Sequence, residues 1–304
     1  MAMEFAYINA STTIPKQYPR LFNEISTDPT RGIAAIGQIA ELGLFRGRTE
    51  GGAFATDSPQ ELIPATFTYS TYGLSSYVTE EGQLEDPLNF MGMLPRMLSN
   101  SERYTQDTTI WNTINLAFNP LVPGSDGLPL ANGAHPLGPI NTSTGVTSIT
   151  GLTFSNSLGT APLTPESYRQ AEILFETLQT DRGNPDRRTP KFIVCGPQMA
   201  KTAQEVIGAR LAPYTNQNQP NTAADQAEIM VVRYITSPTL WGVCAGPGDW
   251  RGGGDANSLL VGYKWQSRVK AWYDNPTGNY GIRSSYRNTY GFANWRGTVW
   301  SQGS

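Results

Sequence analysis

The sequence is short of charge: Asp, Glu, Lys and Arg make up 15% of its 304 residues, against roughly a quarter in soluble globular domains. A lone subunit relies on surface charge to stay dispersed. A low-charge chain with 38% hydrophobic and 11% aromatic residues therefore points to a surface largely covered by something else, and assembly is the first expectation. Histidine occurs once, at His135, which excludes HExxH and multi-histidine metal sites. Cysteine occurs twice, Cys195 and Cys244, each closing an apolar run, FIVC and LWGVC. That fits buried reduced thiols rather than a secreted disulfide framework. No run approaches the about 18 apolar residues of a membrane span. The start MAMEFAYINAS carries Glu4 and no apolar signal core, so the expected compartment is the cytoplasm.

Catalytic signatures are also missing. There is no GxSxG elbow, no GxxxxGK[ST] loop and no GxGxxG after a strand, and the glycine loop GPGDWRGGGD lacks the lysine and helix start that phosphate cradling needs. It reads as a mobile surface loop. His135, held before Pro136 in ANGAHPLGP, reads as a turn or packing residue. Glu80/Glu81 and Glu85/Asp86 form carboxylate pairs, and their place beside a helix start is explained by electrostatics without acid–base chemistry. No catalytic residue, cofactor or metal is expected.

What the sequence has is an uneven charge and 31 glycines with 22 prolines. The net charge of −3 excludes a generally basic nucleic-acid binder. Residues 251–304 nevertheless hold seven Lys/Arg against two Asp, +5, leaving −8 for residues 1–250. The tail is basic and the body acidic.

Along the chain, residues 1–44 read as an arm, turn-rich and extended to Pro29, then weakly helical over RGIAAIGQIAEL through Ile33, Ile36 and Ile39. Glycines and prolines over 45–80 followed by the alternating FTYSTYGLSSYV read as a projecting β-hairpin. A long helix follows, with Asp86 as cap and Pro87 in its first position; Pro95 is expected to break it, so its continuous part begins after residue 96. Residues 120–163 read as a long loop with short strands. Thr164-Pro165 opens a helix with Tyr168, Ala171, Leu174, Phe175 and Leu178 on one face, then come strand KFIVC and a second helix at Gly196-Pro197. Residues 259–271 alternate as a strand with Lys264, Gln266, Arg268 and Lys270 outward. The closing YGIRSSYRNTYGFANWRGTVW places Ile282, Tyr286, Tyr290 and Phe292 inward and Arg283, Arg287 and Thr289 outward, with a register slip near Ala293-Asn294.

This order of parts resembles the major capsid proteins of tailed bacteriophages with the Hong Kong 97-type head fold. FTYSTYGLSSYVTEEGQLEDPL looks like that family's return strand entering the spine helix, and YGIRSSYRNTYGFANWRGTVW like its last peripheral strands. GAHPLGP, TFSNSLGTAPLTPESYRQAEILFETLQTDRGNP and PKFIVCGPQMAKTAQEVI are similar in particular to Mu-type major head subunits. The resemblance implies an α+β fold divided into an N-terminal arm (1–44), an extended β-hairpin loop (45–82), a peripheral domain with spine helix and β-sheet (83–119 and 275–304), and an axial α/β domain (120–274). It implies a virion protein assembled in the host cytoplasm. Pentamers and hexamers would form an icosahedral shell around double-stranded DNA, with scaffolding, portal and cement or decoration proteins as further partners and no membrane.

Subunit-interface candidates are Arg46, Arg48, Glu80, Glu81, Arg283 and Arg287, with DNA as the competing use for the basic strand faces. Lysine occurs only at positions 16, 191, 201, 264 and 270. The predicted hairpin thus has none for the lysine–asparagine isopeptide bond of some relatives, and a non-covalent shell is expected. Nor does the chain carry a long charged N-terminal segment like the fused scaffold of some relatives, so assembly would use a separate scaffold or none. Two other readings compete: a carbohydrate-binding or glycoside-acting protein built on the aromatics and carboxylates, and a phage tail or tube subunit.

Overall fold

The computed structural model describes residues 2–11, 15–26, 33–40, 42, 44–58, 61–86, 90–137, 153–181, 183–209, 226–251 and 254–304. Helix α1 spans Ala2–Ser11, followed by strands β1 (Asn23–Ser26), β2 (Ile33–Ile39), β3 (Glu61–Thr68) and β4 (Ser70–Val78). Helices α2 (Glu80–Leu84) and α3 (Phe90–Asn115) follow, then β5 (His135–Pro136), β6 (Thr153–Phe154) and α4 (Pro165–Thr177). Strand β7 (Phe192–Cys195), helix α5 (Ala200–Ala203) and strands β8 (Glu228–Val231), β9 (Trp241–Cys244), β10 (Leu259–Asp274), β11 (Asn279–Phe292) and β12 (Thr298–Ser301) complete the order.

Two four-stranded sheets organise these elements. In one the strand order is β12-β9-β7-β8. Both its faces are covered, which is why its strands read as unbroken apolar runs. Ile193, Cys195, Trp241, Val243 and Val299 pack with Tyr168, Ala171 and Phe175 of α4 and with Val206 and Ile207 after α5. Phe192, Val194, Cys244 and Trp300 face the other way, into a cluster with Ile110, Trp111 and Ile114 of α3. The start of α4 follows from sequence: Thr164 accepts from Ser167 N–H, Ser167 Oγ accepts in return from Thr164 N–H, and Pro165 occupies the first turn.

The second sheet has the order β1-β10-β11-β4. Its inner face meets α1 and α3, where Tyr7, Leu94, Leu98 and Ile282 form a core with Val78 and Val269. Along α3 the residues at every fourth position, Leu94, Leu98, Glu102, Gln106, Ile110 and Ile114, are all buried, the stripe expected for one helix face laid on a sheet.

Several expectations are corrected. Residues 2–11 form a helix rather than extended chain. Residues 33–39 form a strand, antiparallel to β3, rather than a helix. The strands flanking Tyr69 do not pair with each other: β3 pairs with β2, whereas β4 pairs with β11. The hairpin is thus β2–β3, and the sheet containing β10 and β11 runs across residue 274, while β12 joins the other sheet. Pro95 lies inside one continuous α3. Near the helix start its missing N–H forfeits a single bond, to the Met91 carbonyl, and Asp86 Oδ2 accepts from Met91 N–H at 3.1 Å; Pro87 falls outside the described residues. Thr289 is buried. The register slips occur on β10, between Tyr263 and Arg268, rather than near Ala293-Asn294. Trp250 of the glycine loop is buried against Ile36, Ala65 and Ala293, while residues 252–253 of that loop lie outside the described residues.

Candidate assembly surfaces

The β2–β3 ribbon is rooted and then leaves the body. At its root Ile36 and Ala65 are buried with Trp250 and Leu260, Gln38 Nε2 donates to Ala293 O at 2.7 Å, and Phe67 lies over Gly291. Beyond Ala40 the described residues are exposed almost throughout. Leu44, Phe45 and Phe54 present 80%, 107% and 79% of their surface, large for apolar side chains. Arg48 Nε donates to Gly52 O and its guanidinium stacks on Phe54, 4.1 Å from the ring centre. Arg46 is exposed beside Phe45.

The outer face of the second sheet is basic. Cross-strand register places Lys270, Arg283 and Ser75 in one row and Trp272, Gly281 and Tyr77 in the next. Arg268, opposite Ser285, and Arg287, opposite Thr71, belong to the same face. The Trp272 ring lies flat on Gly281, where a Cβ would fall 2.3 Å from it. Arg268 and Arg287 flank Trp265 at 4.9 and 5.5 Å, and Arg287 and Lys264 approach Tyr69 at 5.9 and 5.7 Å. Rings thus separate three like charges. Arg283, Lys270 and Arg268 are exposed, whereas Arg287 is half-buried with its Nε lacking an acceptor.

Helix α2, at the far end of β4, carries the acids. Thr79 Oγ1 caps it by accepting from Gly82 N–H, with Glu80 and Glu81 in the first turn, where carboxylates are favoured. The expectation that they serve a helix start holds, for α2 rather than α3. Glu80 rests against Gly278 of the β10–β11 turn, while Glu81, Leu84 and Glu85 are exposed.

Inside, His135 is fully buried, its Nδ1 2.6 Å from Asp126 Oδ2 and its ring stacked on Trp295 at 4.7 Å, the packing role expected of it. Both cysteines are buried and free; burial raises the Cys195 thiol to about 11 and pushes Cys244 up as well. A cavity of about 410 Å³ at the ribbon root is lined by the ion pairs Arg188–Asp186 and Arg296–Asp181. Among the described residues no group of His, Cys, Asp or Glu is arranged to hold a metal ion, and no helix is long and apolar enough to cross a membrane.

The sequence reading missed the buried polar knot at Glu102. This carboxylate accepts from Tyr7 Oη, from Ser267 Oγ, from Ser284 Oγ at 2.6 Å and from Gln106 Nε2 at 2.9 Å. Burial, and then the bond to Glu102, raise the Tyr7 hydroxyl well above its ordinary value. The available signal was a Glu and a Gln on the apolar i+4 stripe of α3.

An N-terminal helix on a long spine, a rooted two-stranded ribbon and two sheets at right positions along one helix define the Hong Kong 97-type capsid fold. The structure overlays on the capsid structure of the cyanophage P-SCSP1u with a TM-score of 0.60 at 10% identity, covering 96% of this chain and 90% of that one. The mature capsid of bacteriophage PhiM1 gives 0.58 at 12% identity over 95% and 87%. The capsid of bacteriophage JBD30, decorated with minor capsid protein trimers, gives 0.52 at 14% over 74% and 92%. No curated protein matches the chain by sequence. Residues 64–301 match the sequence model of the phage capsid protein family, and the chain belongs to that family. It is a structural capsid protein of the virion; the carbohydrate and tail-tube readings gain no support.

Proposed function

We propose that copies of this chain assemble in the host cytoplasm as pentamers and hexamers of a non-covalent icosahedral shell enclosing double-stranded DNA. The observation that carries this reading is the β2–β3 ribbon. It is rooted in its own subunit and exposes Leu44, Phe45 and Phe54 to solvent, an apolar surface of the kind that marks a contact with a neighbour. Low overall charge fits a subunit enclosed by its own copies. Arg46, Arg48, Glu80, Glu81, Arg283 and Arg287 are proposed as subunit contacts. In the domain division we propose, the extended loop begins at β2 and ends at β3. By analogy with the JBD30 capsid and its minor capsid protein trimers, a decoration protein is a proposed partner, as are a separate scaffold and a portal.

The test is replacement of residues 44–57 by a short Gly-Ser linker that leaves both ribbon strands intact. The variant is expected to melt like the wild type and to form no particles. Normal particles from it would overturn the reading.

A further inference from the structure

Within one subunit the acidic turn of α2 and the basic outer sheet face carry opposite charge, and both are exposed. Neither satisfies the other: among the described residues no ion pair joins Glu81 or Glu85 to Arg268, Lys270, Arg283 or Arg287. We propose that α2 of one copy docks on the basic sheet face of the next copy, Glu81 and Glu85 pairing with Lys270, Arg283 and their neighbours. This rests on the capsid reading and names one of its contacts.

Three features favour a second copy as the occupant. The patches match in sign, and each carries an exposed apolar group beside its charges: Leu84, 83% exposed, stands in α2 with Glu81 and Glu85, and Trp272, laid on Gly281 beside exposed Tyr77, borders the Lys270–Arg283 row. The Arg287 guanidinium, held against the Trp265 and Tyr69 rings, makes no ion pair among the described residues, so its charge is left for a partner outside the subunit. Finally, two different patches on one molecule that complement each other make a head-to-tail contact, the type that propagates around rings and closes when the rotation allows.

The test uses two variants of the full chain, Lys270→Glu/Arg283→Glu and Glu81→Lys/Glu85→Lys, followed by sedimentation velocity in low-salt buffer. Each variant alone brings like charges together at the contact, and its assembled fraction is expected to fall at least about tenfold. Mixed one to one they are expected to recover association through rings of even number in which the two variants alternate, because every face then meets a turn of opposite charge. Either variant assembling alone like the wild type overturns the proposal, as does a mixture no more assembled than its components. Shells that form normally from the face variant but package no DNA would assign that face to phosphate instead, and also overturn it. Should a reversal fail to fold, Lys270→Gln/Arg283→Gln gives the same reading with a smaller loss. A wild-type chain that never associates contradicts the capsid reading itself, not this pairing.

Discussion

The Tyr7 hydroxyl donates to the Glu102 carboxylate, tying the N-terminal helix to the middle of the spine. Tyr7 is a buried aromatic of α1, whereas Ile8 is 58% exposed. Tyr7→Phe removes a hydrogen bond to a buried charge and is expected to cost about 1.5–3 kcal/mol. Urea unfolding of the purified subunit measures it. A midpoint equal to the wild type would show that α1 is held by other contacts.

Burial holds several tyrosines neutral, which sets the alkaline limit of stability. Tyr263 and Tyr290 are pushed up to about 12, and Tyr7, Tyr18, Tyr168 and Tyr286 are raised further, in each case chiefly by burial. Because the folded values lie above the unfolded value near 10, their contribution is complete below pH about 10 and is lost as pH rises through the folded values. Unfolding midpoints should therefore be level from pH 8 to 9.5 and fall above pH 10. The slope should be shallower in Tyr290→Phe. Midpoints unchanged up to pH 11.5 would contradict this.

Trp300 packs so closely on β9 that a Cβ at Gly242 would lie 2.1 Å from its ring. Gly242→Ala must displace a fully buried indole between two sheet layers and is expected to destabilise by at least about 1–3 kcal/mol. Gly47→Ala, with nothing within 4 Å, is the control and should be neutral. Equal melting of the two variants would refute the packing argument.

Residues 33–68 contain no lysine, and the described cysteines are buried. Assembled particles should therefore run as 33.2 kDa chains on a boiled denaturing gel. A ladder surviving reductant would show covalent linkage.

What could be read from the sequence depended on whether the chain buries its own side chains. The capped start of α4, the apolar FIVC strand and the long alternating strands were legible because each covers its apolar face within the subunit. Residues 33–39 were misread because the spacing of Ile33, Ile36 and Ile39 suggests a helix, yet only Ile36 is buried, while polar Gln38 fills the next inward position. A ribbon made to meet a neighbour displays a pattern suited to that neighbour. The basic face was visible as outward Lys270 and Arg283, but its placement opposite Ser75 required the pairing of β4 with β11, which no local signal fixes. The Glu102 knot joins residues 7, 102, 267 and 284, too far apart in sequence for any motif to announce.

Electron microscopy of the purified full-length chain, at rising concentration and with salt varied, tests the central claim most directly. The account predicts closed, regular shells built of pentamers and hexamers, in equilibrium with 33.2 kDa subunits. A chain that remains monomeric under every condition, or that forms only open tubes, would contradict it.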